Sequence, residues 1–238
     1  MTPFSPVARS ASIIFLIFAL GAKLRPCLQK GNPHLWGYRF FIIFAYVKTQ
    51  LQIEVPGGAE RILLHACCAP CSGAIVECLV QRGYRPVIFY SNANIHPREE
   101  YRRRLEECVR YARKWDLELV EDVYDHARWS SCIAGAENEP ERGARCLRCF
   151  RFRLLRAAEY AAANGFPVLT TTLASSRWKS LEQVNEAGSW ACGQVEGVCW
   201  WGQNWRKGGL QERRNQILKE QGFYNQQYCG CEYSVHTQ

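Results

Sequence analysis

Residues 61–73 read Arg61-Ile-Leu-Leu-His-Ala-Cys-Cys-Ala-Pro-Cys-Ser-Gly73. An apolar run of strand length, Ile62 to Ala66, ends in a loop holding three cysteines within five positions. A helix follows over 72–81, closed by Gly83. The same unit recurs down the chain. Pro86-Val-Ile-Phe-Tyr90 predicts a second strand, ending in the polar loop 92–97, and 98–115 is strongly helical with Leu105, Cys108, Val109 and Ala112 on its inner face. Leu117 to Val123 is a third strand, 147–164 a helix stopped by Gly165, and Pro167 to Thr172 a fourth strand. Helical segments follow from Leu181 to Glu186 and from Glu212 to Gln221. Strands alternating with helices predict an α/β domain with a mainly parallel sheet flanked by helices. Ligands of such sheets bind beyond the carboxyl ends of the strands. The loops after Ala66, Tyr90 and Thr172 lie there.

Cysteine is the compositional outlier, with 13 in 238 residues. The chain is long for a disulfide-stapled secreted domain, the count is odd, and the cysteines cluster; clustering suits metal or redox chemistry. The vicinal pair Cys67-Cys68 serves one tetrahedral ion poorly, but neighbouring irons of a cubane can each take one thiolate. Cys146-x-x-Cys149 opens a helix, where i,i+3 spacing puts both sulfurs on one face and the helix N-terminus favours an anionic group. Two plus two thiolates suit a [4Fe–4S] cluster; a four-cysteine zinc site is the alternative. Cys229-Gly-Cys231 is a different device, a dithiol able to close only a small, strained and readily reduced ring. Cys78 and Cys108, on helices, are read as core.

The net charge of +8 is unevenly placed. Six of the 30 Lys/Arg residues and one of the 22 acids fall in 1–58, so the remainder is only mildly basic, at +3. Any nucleic-acid contact then rests on local patches. Two helices crowd arginines beside the predicted site: Arg98, Arg102, Arg103 and Arg104 on one, Arg145, Arg148, Arg151, Arg153 and Arg156 on the other. Phosphate contact and a solvated face paired with Glu99, Glu100, Glu106 and Glu107 are both open readings. Residues 1–58 do not resemble the rest and are set apart as an N-terminal extension from a body at 59–238. Their apolar run at 10–22 is too short to span a bilayer. Met1 is the sole methionine, so a start near Val55, a weakly structured extension and a signal or anchor segment all remain open.

Five segments carry a resemblance. They are Leu63-Leu-His-Ala-Cys-Cys-Ala-Pro-Cys-Ser-Gly73, Asn92-x-Asn94-Ile95-His96-Pro97-x-x-Glu100-Tyr101-x-Arg103, Arg145-Cys-x-x-Cys-Phe-x-x-Arg153, Thr170-Thr-Thr-Leu173 and Gln227-Tyr-Cys-Gly-Cys-x-Tyr-Ser234. In this order they resemble the cobalamin-independent epoxyqueuosine reductases, the QueH family, over about residues 60–234. The resemblance implies a three-layer Rossmann-like fold of the HUP (adenine nucleotide α-hydrolase-like) type. It implies two-electron deoxygenation of epoxyqueuosine to queuosine at the tRNA wobble position, the last step of queuosine biosynthesis. It maps a [4Fe–4S] cluster onto Cys67, Cys68, Cys146 and Cys149, and a redox-active pair onto Cys229 and Cys231. A second iron or zinc ion near the cluster is also implied, with Cys71 and Asp125 as candidate ligands.

The implied partners are tRNA, through its anticodon stem-loop, and an unidentified electron donor. No stable membrane association is expected, and the implied location is the cytoplasm. His96 is read as a proton donor or a loop-backbone partner, His65 as a buried, hydrogen-bonded residue, and Trp178, Trp201 or Tyr224 as a base-stacking platform. Residues 175–180 and Tyr224-Asn225-Gln-Gln depart from the family pattern. A tRNA thiolase shares the architecture, but its pyrophosphate loop would occupy the position of Cys67 to Gly73, and no such loop is present. A non-catalytic zinc-binding RNA module is the rival from another class.

Overall fold

The computed structural model describes residues 51–234. The apolar run at 10–22 lies outside them. The elements are β1 (Ile62–His65), α1 (Ala69–Val80), β2 (Val87–Tyr90), α2 (Arg98–Lys114), β3 (Leu119–Glu121), α3 (His126–Ile133), α4 (Ala144–Ala163), β4 (Val168–Thr171), α5 (Leu181–Cys192), β5 (Cys199–Trp200) and α6 (Leu210–Glu220). A 3-10 turn over Thr172–Ser175 follows β4, and another over Glu232–Ser234 follows α6.

All five strands pair in parallel, in the order β3-β2-β1-β4-β5. Central β1 sets Leu63 opposite Val87 on one side and Leu169 on the other. All four residues of β1 and of β4 are buried. That is why these strands read as unbroken apolar runs: a parallel sheet is covered on both faces. The contacts sort the helices into two groups. Helix α1 packs on α2 and α6, while α4 packs on α3, α5 and the strands β1 and β4. The result is the three-layer α/β fold expected from the sequence.

Helix α1 starts earlier than predicted, at Ala69. Pro70 lies in its first two positions, where a missing N–H costs nothing, and Cys68 occupies the cap in extended conformation. Cys71 and Ser72 therefore sit in the first turn. At Gly73 α1 and α6 approach closely: a Cβ there would stand 2.9 Å from Ile217 Cγ2. Across the same contact Arg213 grips buried Glu77 at 2.6 and 2.8 Å. The inner face of α2 is Tyr101, Arg104, Cys108, Tyr111 and Ala112, with Leu105 and Val109 only half-buried.

Two elements were not predicted. Helix α3 is short and capped by the Asp125 carboxylate. Strand β5 has two residues, too few for any periodicity, and exists through its pairing with Val168 and Leu169. At the amino-terminal side, Leu51 and Val55 are buried in the main core, and the Leu51 carbonyl accepts from Arg82 at 2.6 Å. No helix among the described residues is long and apolar enough to cross a membrane.

Candidate active site

The strand order reverses between β1 and β4, and such switch points open a crevice beyond the carboxyl ends of the strands. The two chain segments leaving these strands are tied together there. The Cys67 amide donates to Thr172 Oγ1 at 3.0 Å, and that hydroxyl lies 3.3 Å from Cys67 Sγ. A cavity of about 440 Å³ occupies the crevice. Its lining includes Cys67, Cys68, Cys71, Cys146, Cys149, Cys229 and Cys231, seven thiols drawn from three distant stretches of chain. Every cysteine that the sequence reading assigned to a cluster, a second metal or a redox pair thus faces one space.

The sulfurs of Cys67, Cys68 and Cys71 form a group able to hold a metal ion, all within 4.8 Å of one another, with Cys67 and Cys68 3.8 Å apart. Hydrogen bonds from the Cys67 and Cys68 thiols hold the Cys71 thiol well below the usual range, and the cations of Lys179 and Arg214 add to this against the effect of burial. The same network pushes Cys68 up. On α4, Cys146 accepts from the Arg142 amide at 3.3 Å, and burial raises both Cys146 and Cys149. Cys231 is pushed up to about 12 by burial. Cys71 apart, the thiols whose ionisation burial and their neighbours oppose, Cys68, Cys146, Cys149 and Cys231, are poor thiolates by themselves. A bound cationic centre would supply the stabilisation that they lack.

The walls are fixed by buried polar groups. Arg153, 2% exposed, donates to the Ser91 carbonyl at 3.2 Å and to Asn92 Oδ1, and Asn92 donates to the Ala66 carbonyl at 2.8 Å. His65 is fully buried, with Nδ1 2.7 Å from Thr171 Oγ1 and Nε2 3.1 Å from the Ser91 carbonyl. Burial, helped by the charge of Arg153, lowers its pKa to about 3. It is the neutral, hydrogen-bonded residue that the sequence suggested.

The C-terminal loop is held by Arg104, itself buried and paired with Glu100 at 2.7 Å. Its guanidinium donates to the carbonyls of Cys229 at 3.1 Å and Tyr228 at 3.3 Å. Gly230, between the paired cysteines, has φ +111°, and a Cβ there would stand 2.9 Å from both Arg104 Nη1 and Ile95 Cγ1. Only glycine satisfies both constraints.

Several expected roles are redistributed. Asp125 is exposed, caps α3 through the Arg128 amide at 2.9 Å, and does not line the cavity, so the structure does not bring it to Cys71. His96 is likewise exposed and outside the lining. Of the three stacking candidates, Trp201 is buried against Trp205 and Tyr224 lies under Arg103 at 3.6 Å. Trp178, 79% exposed, is the one that lines the cavity. The arginines of α4 mostly bond within the chain, Arg148 and Arg151 at the surface: Arg145 to the Glu137 carbonyl at 2.5 Å, Arg148 to the Ala134 carbonyl, Arg151 to Glu186, and Arg156 to Asp122.

Sequence reasoning did not single out Lys179, quoted Asn94 without giving it a role, and counted Arg104 among the arginines open to phosphate contact or a solvated face. The inner-face positions Tyr101 and Cys108 flank Arg104 at helical spacing, a signal that could have separated it from its solvent-facing neighbours. Asn94 lines the cavity with a buried Oδ1 that has no partner among the described residues. Burial opposes the Lys179 ammonium, but the charges of Cys229, Cys67 and Cys71 outweigh it and hold its pKa above the ordinary range. No local pattern marks Lys179, and the quoted segment that contains Asn94 gives its side chain no role.

A family model described as "Epoxyqueuosine reductase QueH" matches residues 62–237. The curated protein of that name from Histophilus somni is 46% identical over 184 residues, 77% of this chain and 76% of the relative. Those from Haemophilus influenzae and Acinetobacter baylyi are 45% and 44% identical. They cover 77% and 79% of this chain, and 75% and 86% of the relatives.

Proposed function

Because the chain belongs to the QueH family of epoxyqueuosine reductases, we propose that its thiol-lined cavity removes the epoxide oxygen of epoxyqueuosine carried at the wobble position of tRNA. The enzyme is an oxidoreductase of queuosine biosynthesis. The observation that carries the site assignment is the convergence of seven thiols on one cavity at the switch point of the sheet.

In this reading Cys67, Cys68, Cys146 and Cys149 hold a [4Fe–4S] cluster, and Cys71 is left to help hold a second iron or zinc ion. The donor set fits: four cysteines suit a cubane, and helix α4 turns its N-terminus toward the site. When bound, the metal centre supplies single electrons and a Lewis acid for the epoxide oxygen. Converting an epoxide to an alkene and water consumes two electrons and two protons. The Cys229 and Cys231 thiols, on closing a disulfide, release two of each, and an external electron donor must then reopen the pair. Cys231, with its pKa near 12, keeps its proton until the sulfur is oxidised. The Lys179 ammonium faces the same space and favours a developing oxyanion. The Asn94 oxygen accepts a hydrogen bond from the substrate base, which must leave its stack to enter. Trp178 at the mouth offers a face for a neighbouring base. We place the enzyme in the cytoplasm, where tRNA is modified, with residues 1–58 as an extension to a catalytic body at 59–238.

The test is complementation of a bacterium unable to reduce epoxyqueuosine, with tRNA nucleosides read by mass spectrometry. Queuosine should replace epoxyqueuosine, and the anaerobically purified protein should be brown, whereas a colourless zinc protein would reject the cluster. Cys229→Ser should retain iron and sulfide yet lose turnover by at least ~100-fold. Persistent epoxyqueuosine despite a loaded cluster overturns the reading.

A further inference from the structure

Outside the thiol cavity, three segments distant in sequence bring His96, His126 and Glu232 together, with one ligating atom of each within 4.8 Å of the others. None of the three lines the cavity. His96 ends the loop after β2, His126 opens α3, and Glu232 follows Cys231. We propose that these residues bind a divalent transition-metal ion, zinc foremost, which fastens the C-terminal loop from its outer side.

The arrangement of His126 carries the proposal. Its ring is held between His96 and Trp129, each with centroids 5.1 Å away and planes 29° apart. Its Nδ1 is 2.7 Å from the Ala93 carbonyl. A carbonyl only accepts, so Nδ1 carries a hydrogen, and in the neutral ring Nε2 presents a bare lone pair. A metal-ligating histidine is oriented in this way, its second nitrogen donating to the backbone. That lone pair faces Glu232 Oε1 at 3.3 Å. Lone pair and carboxylate repel unless a proton or a cation stands between them.

The distance favours the cation. Charge-assisted N–H···O bonds run at about 2.7–2.9 Å. Two ligand atoms each about 2.0–2.1 Å from a tetrahedral zinc stand about 3.3 Å apart. His96 supplies the third donor: its ring nitrogens have no hydrogen-bond partner among the described residues, while its backbone is fixed. The His96 amide donates to the Gly230 carbonyl at 2.8 Å, and its own carbonyl accepts from the Tyr228 hydroxyl at 2.5 Å. Two imidazoles and a carboxylate, with water in a fourth position, suit zinc better than calcium or magnesium, which prefer oxygen throughout.

An ion here would join the loop after β2, the start of α3 and the segment carrying Cys229 and Cys231. The experiment uses full-length, cluster-loaded protein prepared anaerobically, freed of loose metal with a weak chelator and titrated with zinc sulfate. In a Cys71→Ser background, which removes the thiol proposed for the second ion, one equivalent of zinc should bind, with X-ray absorption showing only nitrogen and oxygen neighbours near ~2.0 Å and no sulfur at ~2.3 Å. His126→Gln and Glu232→Gln should each weaken binding at least ~10-fold with iron and sulfide contents unchanged. His96→Gln, a change at an exposed side chain, covers the case in which His126→Gln misfolds. Sulfur in the zinc shell, undiminished affinity in these variants, or no zinc taken up by the wild type would each overturn the proposal.

Discussion

At the scale of single residues, the buried His65 links the site to pH. Its pKa in the folded protein is about 3, below the ~6.5 of an unfolded chain. Between these values the unfolded chain binds a proton that the folded one refuses. The stabilising contribution is therefore complete above pH ~6.5 and is lost as pH falls toward 3. By pH 5 the loss should reach about 2 kcal/mol. Denaturant unfolding of the wild type should show this decline between pH 7 and 5, and His65→Gln should lack that part of the slope. Equal slopes would mean that the ring is protonated in the fold. The same scale shows how a residue's meaning depends on its neighbours. Among the adjacent arginines of α2, only Arg104 falls at the spacing of Tyr101 and Cys108, and it alone is buried.

At the scale of elements, the C-terminal loop has no regular structure around Cys229 and Cys231 and borrows its order from α2. Arg104→Leu removes the donors to two loop carbonyls and leaves Glu100 without its partner. Losing one side of a buried pair typically costs about 3–5 kcal/mol. The expected result is a lower unfolding midpoint in denaturant and a fall in turnover at unchanged iron content, because the cluster cysteines sit on other elements. Full turnover would show that the loop needs no such anchor. The boundaries of α1 and α3 teach a related lesson. Pro70 reads as a helix breaker in isolation and as a helix opener once Cys68 is seen to be extended. Asp125, a candidate metal ligand through the family resemblance, is a cap by position.

At the scale of the whole molecule, charge sets how the proposed tRNA substrate would be held. A body of net charge +3 whose α4 arginines mostly bond within the chain leaves the exposed Arg98, Arg102 and Arg103 of α2 as the cations nearest to hand for phosphates. The affinity for a substrate tRNA should therefore fall only gently with salt, with a log–log slope of magnitude about 2–3. Trp178→Ala should weaken binding through lost stacking, by ~1–3 kcal/mol, with little change in that slope. A slope near ~8 would instead reveal a phosphate track elsewhere on the surface.

The alternation of apolar runs and helices, the strand-end position of the cysteine loops and the isolation of the Cys229-Gly-Cys231 pair were all legible in the chain, because strand burial and helix periodicity are local properties. The short β5, the cavity itself, the place of Lys179, the unpartnered Asn94 oxygen and the His96–His126–Glu232 group were not. Each exists only where segments far apart in sequence meet, and no local pattern encodes such a meeting. Sequence alone determined which thiols this protein has and which loops carry them. The tertiary structure decided that all seven face one cavity, because a parallel sheet that reverses its winding between β1 and β4 brings the loops beyond those strands together.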